Sequence, residues 1–283
     1  MGIPDGVMKE LWSREDERDL VAFLDAVRRD DLVEALYSIE GSTPAARRSA
    51  ESILDEAAAS VRERTAGTRS SFQKARLLAR ILSEEQGFAG DEDDYYDPRN
   101  VLLGPLLERR KGMPILLSIL WMEVGRRAGI PVAGIGLPGH FVVRVGSPPG
   151  TLADPFAGGV PLTVDDCRRK VNALAGGRVP WRAEYLRQME IPALLERVLR
   201  NLAGCRERTG DEAGRFRAVT FLSALRPDEP ENLLSRAELA EELGVRGLAR
   251  EVWAEIVERF PGSVQAQAAF EKMAEEDEPP VFH

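Results

Sequence analysis

The chain has 283 residues, 43% of them hydrophobic, and a formal net charge of −9. That is enough for two compact domains or one with an appendage, and the acidic balance argues against nucleic acid, whose phosphate backbone calls for a lysine and arginine surplus. The longest uncharged apolar stretch, residues 112–122, is too short to cross a bilayer, and the opening MGIPDGVMKELWSREDERD lacks the basic-then-apolar order of a signal peptide, so a cytoplasmic protein with no membrane partner is expected.

From Glu15 to about Gln86 the apolar spacing is helical: Leu20, Phe23, Leu24 and Val27 fall at i, i+3, i+4 and i+7, and FQKARLLARIL repeats the pattern. A small helical bundle is predicted there. The next stretch, GFAGDEDDYYDPRN, is acidic but lacks the D-x-D-x-D-G order and closing glutamate of a calcium loop, so it reads as a solvated loop without metal. VLLGPLLERRK follows as a helix, with Arg109, Arg110 and Lys111 complementing the negative end of its dipole and Gly112 suited to the position after its end. Pro114 fits the first turn of another helix, where its missing N–H costs nothing. PILLSILWMEVGRRAG is apolar nearly all round and belongs in the middle of a fold.

Beyond Gly129 the period changes to two. VAGIGL and HFVVRV read as strands, followed by the turn GSPPG and the strand TLADPF. If Val145 pairs with Thr151, Val142 opposes Asp154, and His140 becomes its diagonal neighbour on the same face. Such neighbours lie about 7 to 8 Å apart at the backbone, within reach of an imidazole–carboxylate hydrogen bond. Cys167 and Cys205 stand alone, in no C-x-x-C pattern and with no histidine placed to share a metal, which leaves two reduced thiols packed in helices. VPWRAEYLRQMEIP marks a boundary before an all-helical tail. There Pro227 and Pro261 are 34 residues apart, and Val219 and Leu222 shift onto Trp253 and Ile256 by the same step, the period of tetratricopeptide helix pairs.

GFAGDEDDYYDPRNVLLGPLLERRKGMPILLSILWMEVGRRAGIPVAGIGLPGHFVVRV with ADPFAGG resembles the transglutaminase-like branch of the bacterial SirB proteins. The resemblance implies an α+β fold: a helical N-terminal region forming part of the core domain (residues 1–90), a transglutaminase-like, papain-like core with a central buried helix on a small antiparallel sheet (91–180), and tetratricopeptide-like helical repeats (190–275). Active enzymes of this type carry a cysteine at the start of the central helix, a histidine opening a strand and an aspartate on the next strand. His140 and Asp154 match the last two. Counting back from Gly129-Ile130-Pro131 puts the cysteine position at Pro114 or a direct neighbour, and no sulfur nucleophile is there.

A helix N-terminus lowers a thiol's pKa and a nearby imidazole removes its proton, so that chemistry requires sulfur at that spot. Ser118 lies one turn on, about 6 Å along the axis, and a serine hydroxyl is a far poorer nucleophile. Two functions are therefore expected to compete. One is a non-catalytic regulatory or adaptor protein, which needs no cofactor and holds another protein or peptide through its tail. The other is a hydrolase or acyl-transfer enzyme using His140 and Asp154 with Ser118 or water. The pocket is expected around Pro114, Gly139, Phe141 and Tyr96, and the glycines of GLPGHF leave room for a small ligand to approach the backbone.

Overall fold

The computed structural model describes residues 11–277. Its helices and strands are, in order, α1 Arg14–Arg28, α2 Leu32–Glu40, α3 Pro44–Thr65, α4 Ser71–Ala79, β1 Ala89–Gly90, α5 Leu103–Arg109, β2 Lys111–Gly112, α6 Pro114–Ala128, β3 Val132–Leu137, β4 His140–Val145, β5 Thr151–Asp154, β6 Val160–Leu162, α7 Val164–Leu174, α8 Ile191–Thr209, α9 Glu212–Leu225, α10 Pro230–Glu242, α11 Arg246–Arg259 and α12 Val264–Asp277. Among the described residues no helix is long and apolar enough to cross a membrane. The chain divides into two compact units, Asp30–Val198 and a second made of Met1–Arg29 with Leu199–His283.

In the first unit, α6 is the buried helix its sequence predicts. Pro114 occupies its first turn, and Gly129 ends it at φ 76°, so that the amides of Gly129 and Ile130 return to the carbonyls of Arg126 and Gly125. Helix α3 packs on α6, and so do β3 and β4. The sheet is antiparallel in the order β3-β4-β5-β6, and Val145 lies opposite Thr151 as the hairpin reading predicts. Strand alternation gives the two faces different neighbours. Gly134 has space only for the Met122 sulfur of α6 and the Phe141 ring. On the other face Ile135, Leu137 and Val142 form an apolar cluster with Cys167 and Val171 of α7.

Three local expectations change. The helix after Pro98 is split: a 3-10 turn covers Pro98–Val101, and α5 stops at Arg109 because Arg110 takes a left-handed φ of 61°. Gly112 is therefore no helix cap. It lies in β2, parallel to β1, where a Cβ would come 2.5 Å from Leu106. The acidic segment is not simply solvated either, because Asp91 and Asp97 are buried and both pair with Arg109, at 3.1 and 3.3 Å. That contact turns Arg109 away from a capping role. Finally, residues 14–28 fall in the other unit, apart from the rest of the N-terminal helices. The cause is aromatic packing: Phe23 meets Phe221 at 5.1 Å and Trp12 meets Phe216 at 6.2 Å, while Arg217 pairs with Asp16 and with Asp19.

The second unit is helical throughout its described residues. The bounds of α9 recur 34 residues later in α11, and α12 begins 34 residues after α10. Phe216 of α9, Leu233 of α10, Trp253 and Ile256 of α11 and Ala269 of α12 fill its core. Pro227 and Pro261 follow the ends of α9 and α11, where a residue with fixed φ cannot continue a helix.

Candidate functional site

His140 opens β4 directly after a tight turn in which Gly139 adopts φ 76°. Arg197 holds that turn from α8, its Nη2 donating to the carbonyls of Leu137 (2.8 Å) and His140 (2.7 Å). Asp154 closes β5 and is fully buried. One of its oxygens accepts the amides of Phe156 (3.1 Å) and Ala157 (3.3 Å), and its carbonyl accepts that of Gly159 (2.7 Å), so the side chain organises the turn that follows the strand.

The other oxygen, Oδ2, takes His140 Nε2 at 2.8 Å and Lys170 Nζ at 3.0 Å. A carboxylate only accepts, so Nε2 carries the proton in this contact. Burial pushes the Asp154 carboxyl up, but its bonds to His140 and Lys170 outweigh burial and hold it below the usual carboxylate range. Phe156 stands edge-on to the imidazole at 6.2 Å. The ring also lies against Gly90, where a Cβ would approach it to 2.5 Å. Tyr95 follows Phe156 at 6.0 Å and Tyr96 follows Tyr95 at 5.1 Å, which links the imidazole to a tyrosine that is 47% exposed.

The other residues singled out in the sequence do not join this group. Ser118 is fully buried in α6, and its hydroxyl has no hydrogen-bond partner among the described residues. Pro114 is buried at the first turn of α6, behind Met113, whose amide bonds the carbonyl of Asn100. Phe141 alternates to the opposite face from His140, with the Arg197 guanidinium 5.3 Å from its ring, so it packs the core. Cys167 is one turn before Lys170, on the helix nearest the diad, yet its side chain belongs to the apolar cluster beneath Val142. Burial first, then the charges of Asp166 and Asp154, push its thiol up to about 11. A thiol in that condition is not a nucleophile at neutral pH.

Lys170 and Arg197 were not legible as site residues. Both stand far along the chain in ordinary charged helices, and only the docking of α7 and α8 brings them in. The one local signal is the capping box of Thr163 and Asp166, which fixes where α7 starts and hence where Lys170 falls.

A buried helix on an antiparallel sheet, with a histidine and an aspartate joined across neighbouring strands, defines a transglutaminase-like core. The chain belongs to the transglutaminase-like superfamily, whose model matches residues 48–200. Within it the chain is similar to a UPF0162 protein of Xylella fastidiosa, with 37% identity over 194 residues, 67% of this chain and 69% of that one. It is also similar to a UPF0162 protein of Pseudomonas aeruginosa, with 34% identity over 174 residues, 62% of this chain and 63% of the relative. Mouse F-box only protein 21 matches over 177 residues at 30% identity, 58% of this chain but 27% of that protein. No solved structure matches the chain.

Proposed function

We propose that the protein is a non-catalytic member of its superfamily, of the SirB type, acting as a regulatory or protein-interaction module through a tetratricopeptide-like tail. One observation carries this reading: α6 begins at Pro114, directly after Met113, and among the described residues no hydroxyl or thiol is hydrogen-bonded to His140. Nucleophilic catalysis needs an attacking group within about 2.6 to 3.2 Å of its base, or one water away. Neither Ser118 nor Cys167 offers one. Lys170 supports the same reading, because it binds the same carboxylate oxygen as the imidazole, so that Asp154 joins two elements of the fold rather than serving His140 alone.

The tail's part in the reading rests on the 34-residue offset of its helices, which suits stacked pairs whose concave side holds a peptide. Purified protein incubated with amide and ester substrates should show no turnover above background and no covalent acyl adduct by intact-mass analysis. Turnover that disappears in His140→Ala, or an adduct mapped to any side chain, would sink the non-catalytic reading.

A further inference from the structure

The second unit holds a cleft of about 140 Å3 that the diad does not touch. Its apolar part is made by Leu234 of α10, Trp253 of α11 and Ala268 of α12, and its polar part by Glu238, Glu271 and Lys272. Leu234 and Ala268 are 34 residues apart, as are Glu238 and Lys272, so corresponding turns of α10 and α12 line the two sides.

The charges do not balance. Lys272 pairs with Glu241 at 3.5 Å, and among the described residues Glu271 accepts only the neutral amide of Gln267 at 3.1 Å. Glu238 is partly covered by its neighbours, keeps much of its surface in solvent, and makes no hydrogen bond or ion pair among the described residues. Partial burial and the carboxylates of Glu242 and Glu241 push its carboxyl above the usual range, against the opposing pull of Lys272 and Arg215. Arg215 is itself engaged by Glu207 (2.9 Å) and Glu212 (3.2 Å). A guest that brings a positive charge relieves this repulsion, and one that brings a negative charge worsens it.

We propose that the cleft receives the side chain of an arginine or lysine carried by a basic segment of a partner protein. This rests on the reading of the tail as a protein-binding element and names the chemistry of what it binds. The alkyl stem would lie along Leu234, Trp253 and Ala268 while the cationic head sits between Glu238 and Glu271. Long basic side chains bury their stems and keep their heads polar in this way. A bare metal ion would leave the apolar wall uncovered, and no group of side chains suited to a metal occurs among the described residues.

The test uses the full chain and two capped tripeptides, leucine–arginine–leucine and leucine–glutamate–leucine, followed by the nitrogen–proton signals of the tryptophan indoles. The chain has only four tryptophans, and Trp253 is the one lining the cleft. The arginine peptide should shift the Trp253 signal at concentrations at least about tenfold lower than the glutamate peptide, and about 1 M salt should weaken it. Glu238→Lys should reduce binding by about tenfold or more, with Glu63→Lys, on the other unit, as an unaffected control. Unchanged thermal unfolding would show that Glu238→Lys still folds, and Glu238→Gln provides a milder second variant.

Equal shifts with both peptides, or binding that survives Glu238→Lys, would overturn the basic-side-chain inference while leaving the tail as a protein binder. No shift with either peptide overturns the inference too. The non-catalytic reading fails separately, through turnover that depends on His140.

Discussion

Asp154→Ala is the substitution that best separates structural work from catalytic work. Its carboxylate takes four donors: His140, Lys170 and the amides of Phe156 and Ala157. Lys170 is 35% exposed on its side chain and recovers water when the carboxylate goes, so its share is small. His140 is buried and loses its Nε2 partner. Hydrogen bonds to charged groups contribute about 1.5–3 kcal/mol each, and breaking a buried pair from one side costs about 3–5 kcal/mol. A loss in that range is expected for the unit Asp30–Val198, with a coupling to His140→Ala of about 1–3 kcal/mol in a double-mutant cycle.

Asp154→Asn keeps one acceptor oxygen and should cost less, and it should also change the pH profile. A carboxyl held below its unfolded pKa of about 3.9 contributes stability that is present above that value and lost as pH falls through the lower folded one. The acid limb of unfolding should therefore be shallower in the asparagine variant. Hydrogen exchange in peptides covering residues 140–157, measured across a urea series, reports this unit separately from the helical one. A cost below about 1 kcal/mol for Asp154→Ala, with unchanged protection of the Phe156 and Ala157 amides, would refute the account.

Ser118→Ala removes a buried hydroxyl with no hydrogen-bond partner among the described residues, so stability should hold or rise by up to about 1 kcal/mol; a marked loss in urea unfolding would mean that the hydroxyl has a partner in solution. Cys167 should resist a thiol reagent at pH 8 in the folded protein and react at the ordinary rate in denaturant, given its burial and a pKa of about 11. Rapid labelling of the folded chain at that residue would contradict its packing. Glu40 accepts the amides of Leu103 and Gly104 and so caps α5 from α2, where Leu102 offers no side-chain cap. Glu40→Ala should cost about 0.5–2 kcal/mol, seen as faster exchange over residues 103–110, and unchanged exchange there would count against the cap.

The elements whose structure depends on near neighbours were readable from the sequence. Pro114 and Gly129 delimit α6 by their own backbone preferences, and the alternation of HFVVRV with TLADPF fixed the register that brings His140 to Asp154. What escaped depends on long-range docking. Glu40 reaches α5 across more than sixty residues, Lys170 and Arg197 come to the diad from helices whose sequences read as ordinary, and Asp91 and Asp97 are buried only because Arg109 meets them. The charge pattern of such residues looks the same whether they are solvated or paired. The position of α1 was hidden for a similar reason: its amphipathic stripe shows that it packs, while the aromatic partners that settle where lie about two hundred residues away.

The diad needs no reaction to account for its form. Asp154 binds β4 through His140, α7 through Lys170 and the turn after β5 through two amides, so one side chain joins three pieces of the unit. An apolar residue in its place would leave His140 and the amide of Phe156 without partners, at a cost of about 1–3 kcal/mol for each group left buried. An imidazole hydrogen-bonded to a buried carboxylate is thus a stable outcome of folding in its own right. The proposed non-catalytic reading rests instead on the start of α6, where Met113 and Pro114 stand and offer no thiol for a helix dipole to activate.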